Sequence, residues 1–190
     1  MKFVQKEFTA ILDEKKSKFL AFLLPYKDFD KTMQRLKTEH PKAVHHVYAY
    51  RYLNEFDQIV ESCSDDGEPR GTSGRPSLAV LSGANIINSA VIIVRYFGGI
   101  KLGTGGLVRA YSNSVNEVIK VSEFELYKKL IDKILECEYS FLSQLEYILK
   151  EAKINIVSQE FLMSVKVKIE LTKEEFDILK EKLPREVKIL

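Results

Sequence analysis

The pattern of hydrophobic and polar positions predicts four strands and three helices in the first two thirds of the chain. The run NSAVIIVRY (88–96) is almost continuously apolar and β-branched, which is typical of a strand buried on both faces. An acidic stretch over residues 54–68 is predicted to be a loop. The strands are expected at residues 3–15, 17–26, 44–53 and 88–96, and the helices at 28–39, 77–81 and 104–121.

The last third of the chain has its own periodic order and is predicted to be a second domain. Residues 163–171 (MSVKVKIEL) alternate strictly, as a half-exposed strand does. Thr172 followed by Glu175 forms the sequence of a capping box, which predicts a helix over 172–183 that Pro184 ends. With strands at 130–139, 154–161 and 186–190 and a helix at 141–152, the order is βαββαβ, the ferredoxin-like split unit. We therefore predict an α+β protein with domains at 1–122 and 127–190.

Glycine is confined to one part of the chain: all nine glycines fall between Gly67 and Gly106. Glycine permits positive φ angles and close approach of a backbone or ligand, at an entropic cost. Two segments hold most of these glycines, SDDGEPRGTSGRP (64–76) and RYFGGIKLGTGGLVRAY (95–111). The functional site is expected there.

Charge is segregated in the same region. Six acids and no lysine or arginine occur over residues 54–68, whereas residues 69–116 hold five bases and no acid. The net charge of +2 gives no strong global field, so a polyanion would have to be attracted locally. Either the bases converge on phosphates, or the acidic and basic blocks neutralise each other across a loop. The bases are Arg70, Arg75, Arg95, Lys101 and Arg109.

A strand, a glycine-rich loop and a helix start in succession form a common site for phosphate groups. Walker A spacing requires a lysine where Thr104 stands, and the dinucleotide fingerprint requires a glycine where Val108 stands. Neither nucleotide motif is therefore present. An anion nest formed by backbone N–H groups remains possible, and tight packing of the loop is the alternative. The candidate nest residues are Gly98, Gly99, Gly103, Gly105 and Gly106.

The remaining chemically active side chains do not form a catalytic or metal-binding motif. His45 and His46 point to opposite faces of a predicted strand, so one is expected to be buried and the other, assigned as His46, to join the glycine region. Asp65, Asp66 and Glu68 have the oxygen ligands of a hard cation, but an acidic turn is the commoner outcome. Cys63 has no activating geometry visible in sequence. We expect no catalytic residue, no metal and no cofactor.

Bulk properties favour a soluble globular protein. The 190 residues are 45% hydrophobic and 29% charged, and no apolar run approaches the roughly 18 residues of a membrane span. The N-terminus mixes charged and apolar residues too finely for a signal peptide. The two cysteines match no metal or redox spacing. The expected location is the cytoplasm, with no membrane partner.

Four segments resemble the YigZ/IMPACT family, also called uncharacterised protein family 0029. They are KSKF (16–19), HPKAVHH (40–46), SDDGEPRGTSGRP (64–76) and IVRYFGGIKLGTGGLVRAY (93–111). The resemblance implies a first domain with the fold of the second domain of ribosomal protein S5, and a second domain similar to part of elongation factor G. Both of those relatives contact RNA on the ribosome. Eukaryotic members regulate translation by binding an activator of an initiation-factor kinase, helped by an N-terminal RWD domain that is not seen in this sequence.

These observations together predict a protein that binds structured RNA or the ribosome and regulates translation. The five bases would contact phosphates, and Tyr96 and Phe97 would offer a stacking surface. One alternative is an enzyme acting on a small phosphorylated or acidic metabolite, with a divalent metal on the acidic segment and His46 as acid or base. Another is a regulator that binds a protein of the translation machinery without RNA contact.

Overall fold

The computed structural model describes residues 1–190, which form two compact units, Met1–Tyr127 and Lys128–Leu190. The first unit extends beyond the predicted domain end at 122. The reason is a short antiparallel pair in which Glu125 and Leu126 lie opposite Phe3 and Lys2. This pairing ties the segment after the last helix of the first unit to the N-terminus.

The first unit is built on a five-stranded antiparallel sheet, whose strands in spatial order are β2 (Phe8–Glu14), β3 (Ser17–Pro25), β6 (Ser89–Tyr96), β4 (His45–Leu53) and β5 (Ile59–Ser64). The central strand is the apolar run predicted to be buried on both faces, and six of its residues from Ala90 to Arg95 are indeed buried. The short pair consists of β1 (Lys2–Phe3) and β7 (Glu125–Leu126).

Three helices cover the sheet: α1 (Phe29–Glu39), α2 (Gly74–Gly83) and α3 (Thr104–Val121). Buried residues of α2 and α3 pack with one face of the sheet, where Phe19, Val47 and Ile93 are fully buried. Leu36 of α1 packs on the other face with Ile92. Each such side chain contributes about 1.5–3 kcal/mol by leaving water. The sheet is thus held between two apolar layers, and its central strand is fixed from both sides.

Two local predictions in the first unit differ from the structure. The predicted acidic loop contains the edge strand β5, which pairs with β4 through a turn closed by the Asn54 side chain. Charged residues suit an edge strand because they discourage pairing with another chain. Helix α2 begins at Gly74 rather than Ser77, because the carboxylate of Asp65 accepts the backbone N–H groups of Ser73 and Gly74.

The second unit has the predicted βαββαβ order. Its four strands form an antiparallel sheet with the order β11-β8-β10-β9, which is the arrangement of the ferredoxin-like split unit. Thr172 and Glu175 exchange side-chain and backbone hydrogen bonds, so the predicted capping box is confirmed. The elements are β8 (Leu130–Cys137), α4 (Leu142–Glu151), β9 (Ile156–Phe161), β10 (Val165–Thr172), α5 (Lys173–Lys182) and β11 (Lys188–Ile189).

Candidate functional site

A pocket of about 430 Å³ opens in the first unit beside the glycine-rich segments. The start of β4, the end of β6 and the first turn of α3 form its walls, so elements that are distant in sequence meet there. Its wall combines apolar, charged and backbone groups. The lining residues are Val44, His45, Glu68, Pro69, Arg95, Phe97, Lys101, Leu102, Gly103, Thr104 and Leu107.

A buried ion pair lies at this pocket. Arg95 and Glu68 are only 5% and 8% exposed, and Arg95 Nη1 donates a hydrogen bond to Glu68 Oε1. The Tyr111 hydroxyl donates to the same oxygen at 2.8 Å. Burial, reinforced by the Glu68 charge, raises the pKa of Tyr111 far above its usual value, so the phenol stays protonated as a donor. The Glu68 charge is therefore compensated inside the protein.

His45 completes the polar wall of the pocket. It lies directly opposite Arg95 across the β4–β6 ladder. Its Nδ1 is 2.6 Å from the carbonyl oxygen of Asp66, and because a carbonyl only accepts, Nδ1 carries the proton. Its Nε2 is 3.8 Å from Glu68 Oε2. The imidazole is thereby held in one orientation against the ion pair.

Arg95 is not exposed as a free cation, because it is buried and its charge is paired with Glu68 inside the protein. The guanidinium lies between the rings of Phe19 and Phe97, 5.4 and 5.7 Å from their centres. Its Nε is buried and has no hydrogen-bond partner. Since buried polar groups are nearly always paired, this donor distinguishes Arg95 from an ordinary structural arginine.

The other four predicted bases are exposed, and none of them forms an ion pair within the protein. Of the five predicted bases, therefore, only Arg95 is paired with a residue of the acidic segment 54–68. Lys101 lines the pocket, and Arg70 directly follows the pocket residue Pro69. The Arg109 guanidinium comes near the first turn of α3, because its Nη1 lies 3.7 Å from where a Cβ on Gly105 would be. The four exposed bases are Arg70, Arg75, Lys101 and Arg109.

The five glycines of the predicted nest serve different purposes. Gly99 and Gly103 have positive φ angles of 85° and 71°. Gly98 does not, but a Cβ there would lie 2.0 Å from the backbone of Lys16, so a close approach requires it. Gly105 and Gly106 lie inside the first turn of α3 with ordinary helical geometry. A positive φ therefore accounts for Gly99 and Gly103 but not for the other three glycines.

His46 faces away from the pocket, so its assignment to the site is wrong and His45 takes that place. The backbone N–H of His46 donates to Asp66 Oδ2 at 2.5 Å. Its Nε2 is buried without a partner, and burial lowers the pKa of the imidazole. Tyr96 is likewise on the other face, where its hydroxyl is 2.9 Å from His40 Nδ1. Of the predicted stacking pair, only Phe97 lines the pocket, 47% exposed.

The acidic residues considered for a metal have separate structural roles. Asp65 accepts from Gly71, Ser73 and Gly74 at the start of α2, and these hydrogen bonds outweigh burial and lower its carboxyl pKa. Asp66 and Glu68 bind the groups described above, and no three His, Cys, Asp or Glu side chains converge in the structure. Burial raises the pKa of the Cys63 thiol, which opposes formation of a nucleophilic thiolate.

Sequence reasoning missed the pairing of Glu68 with Arg95 and Tyr111, and it chose the wrong histidine. A signal for the histidine was present. His45 shares its strand face with Val47 and Ala49, whereas His46 shares its face with the larger Tyr48 and Tyr50. Val47 and Ala49 are fully buried in the apolar layer that holds α2 and α3, and the pocket lies on that side of the sheet.

Together, the fold and the site define a two-domain α+β protein with a polar, glycine-rimmed pocket in its first unit and a ferredoxin-like second unit. The Impact N-terminal domain family matches residues 15–119, and a domain of unknown function (DUF1949) matches residues 135–184. The chain belongs to the IMPACT family. None of its helices has both the length and the apolar character needed to cross a membrane.

Comparisons that cover most of the chain agree with this assignment. An IMPACT family member from Haemophilus influenzae is 36% identical over 80% of this chain and 75% of its own length. The IMPACT family member YigZ from Escherichia coli is 34% identical over 86% of this chain and 81% of its own. A crystal structure described as a hypothetical protein aligns with a TM-score of 0.68 and 31% identity, covering 100% of this chain and 95% of the other. None of these names is that of an enzyme.

Proposed function

We propose that this protein binds RNA or the ribosome through the exposed bases of its two glycine-rich segments, and regulates translation by doing so. The observation that carries the proposal is the set of exposed bases Arg70, Arg75, Lys101 and Arg109, which have no acidic partner in the protein. An exposed cation without an internal partner is free to contact a phosphate, and such contacts supply most of the affinity for a polyanion.

The form of the surface supports contact with a single strand or a loop rather than reading of a duplex. Helix α3 presents its N-terminal turn beside the pocket, and Phe97 exposes a ring next to Lys101 among the pocket residues. An exposed aromatic ring beside cations suits an unstacked base and its phosphate. The link to translation comes from the family resemblance, since eukaryotic members of the family regulate translation.

The direct test is co-sedimentation with ribosomes from cell lysate, with and without ribonuclease. We expect the wild-type protein to enter the ribosomal fractions at low salt. Replacing Lys101 and Arg109 together by glutamine should return it to the top of the gradient. The matched control is Lys120→Gln at the other end of α3, where the lysine already pairs with Glu117. Co-sedimentation that is unchanged in the double variant would contradict the proposal. If the protein still sediments in a complex after ribonuclease has digested the RNA, the result would instead favour a protein partner.

A further inference from the structure

Two groups of hydrogen-bond donors at the pocket lack acceptors within the protein. The first is on Arg95, whose Nη1 bonds Glu68 but whose buried Nε bonds nothing. The second is at the start of α3. Its N-cap, Gly103, has no side chain to accept a bond, and the first backbone bond of the helix runs from Leu107 to Gly103. The N–H groups of the three intervening residues, 104–106, are therefore open.

Arg95, Gly103 and Thr104 all line the same pocket. An unpaired buried donor costs free energy in a protein without its ligand, and this cost is recovered when an acceptor arrives. An uncapped helix N-terminus alone would indicate little. Arg95 is an observation independent of the helix terminus, because it lines the same pocket, is only 5% exposed and keeps one donor, Nε, without a partner.

The charge balance of the pocket specifies an anion. Glu68 is compensated by Arg95 and by the Tyr111 hydroxyl, so its charge does not dominate the site. Lys101 has no ion pair, and the N-terminus of the 18-residue helix α3 adds its partial positive charge. The electrostatic field that remains in the pocket favours a group with several acceptor oxygens and a negative charge.

The volume and the apolar walls indicate that the anion carries an organic group. The pocket of about 430 Å³ exceeds what a single phosphate fills, and Val44, Phe97 and Leu102 supply apolar surface beside the donors. We propose that the pocket binds a phosphate monoester, with the phosphate toward Arg95 and the start of α3 and the organic group against Phe97. This inference rests on the proposed function, since it names the chemical group that the same basic surface would hold.

A nuclear magnetic resonance titration with inorganic phosphate tests the site directly. At constant ionic strength set with chloride, phosphate should shift the amide resonances of Thr104, Gly105 and Gly106 saturably. Lys101→Gln should weaken phosphate binding about fivefold, as expected for loss of one partly exposed charge. Arg95→Lys keeps a cation for Glu68 but removes the extra donors, and should also weaken binding. The control Lys120→Gln, at the far end of α3, should bind phosphate as the wild type does.

Two oligoribonucleotides of one sequence, with and without a 5′-phosphate, identify the source of the phosphate. Tighter binding of the phosphorylated strand, lost in Lys101→Gln, would assign the pocket to a nucleic-acid end. Equal binding of both strands alongside saturable binding of phosphate and of a nucleoside monophosphate would assign it to a small phosphate ester. Both results support the inference.

Failure of the inference and failure of the proposed function give different results. If phosphate produces no saturable shift at residues 104–106, or if the same shifts persist in Lys101→Gln and Arg95→Lys, the monoester site does not exist. Salt-sensitive RNA binding would then still support the proposed function. If phosphate binds but neither strand nor ribosomes do, the inference stands and the proposed function is wrong.

Discussion

Arg95 and Glu68, which are 27 positions apart in the sequence, form a buried ion pair. The pair joins the end of the acidic segment (54–68) to the end of the central strand β6. Both residues also line the pocket, so the same contact belongs to the fold and to the candidate site. Two charges removed from water stabilise a protein only while both are present, since either one alone is buried without compensation.

Removing one partner should therefore be costly. Glu68→Gln keeps the shape of the side chain and an acceptor for Tyr111, but leaves the Arg95 charge uncompensated. We expect a loss of about 3–5 kcal/mol in the free energy of unfolding, measured by urea denaturation. Glu117→Gln, which breaks the exposed pair with Lys120, should cost about 0.5 kcal/mol or less. Equal losses in the two variants would show that Arg95 does not depend on Glu68.

Alanine substitutions at three glycines should distinguish a glycine that is required by the close approach of another backbone segment, one that is required by its positive φ, and one that lies in an ordinary helix. Gly98→Ala should be the most damaging, because its Cβ would overlap the backbone of Lys16. Gly103→Ala should cost about 1–3 kcal/mol, because its φ of 71° and ψ of 166° lie in a region of backbone conformation that essentially only glycine adopts. Gly105→Ala meets no atom nearer than 3.7 Å and lies in a helix, so it should stabilise by about 0.5–1 kcal/mol. Thermal denaturation of the three variants measures how the substitutions rank in their effect on stability, and a destabilising Gly105→Ala would contradict the expected ranking.

The half-buried imidazole of His46, whose Nε2 is inaccessible to solvent, should make the first unit less stable in mild acid. Burial lowers its pKa, so the unfolded chain binds a proton more readily than the folded one below the usual value of 6.5. Stability is then full above that pH and falls as the pH decreases through and below it. The charged neighbours are Asp66, which favours protonation, and Lys37 and His40, which oppose it. Urea denaturation between pH 8 and 5.5 should show the decline, and His46→Gln should reduce it. An unchanged decline in His46→Gln would assign it to another group.

Local signals made much of this fold predictable. Helix α3, the buried strand β6 and the capping box at Thr172 each depend on residues within a few positions of one another, so sequence periodicity identified them. Strand β5 was missed because it is a polar edge strand, whose pairing with β4 decides its structure. The start of α2 depends on Asp65, eight or nine positions earlier, which no helix periodicity reveals.

The site was less predictable than the fold because its contacts are long-range. Most residues that line the pocket belong to the two glycine-rich segments, and four of the five bases are exposed. The burial of Arg95 follows from its partner Glu68, 27 positions away, and charge alone cannot distinguish a surface arginine from a buried one. The choice between His45 and His46 required knowing which face of β4 is covered by α2 and α3.

RNA binding, if it uses the exposed bases, should depend on salt in a defined way. Arg70, Arg75, Lys101 and Arg109 would give about four phosphate contacts, since Arg95 is bound to Glu68. For a single strand, log K should then fall with log salt at a slope near −2.8. Removing Lys101 or Arg109 should weaken binding to all sequences alike and reduce the slope by about 0.7, because a phosphate contact releases counterions without reading a base. Fluorescence anisotropy with labelled oligoribonucleotides between 50 and 250 mM salt measures both quantities. Lys120→Gln is the control and should leave the slope unchanged. Salt-independent binding, or a slope that Lys101→Gln and Arg109→Gln do not alter, would contradict the RNA proposal and favour a protein partner at this surface.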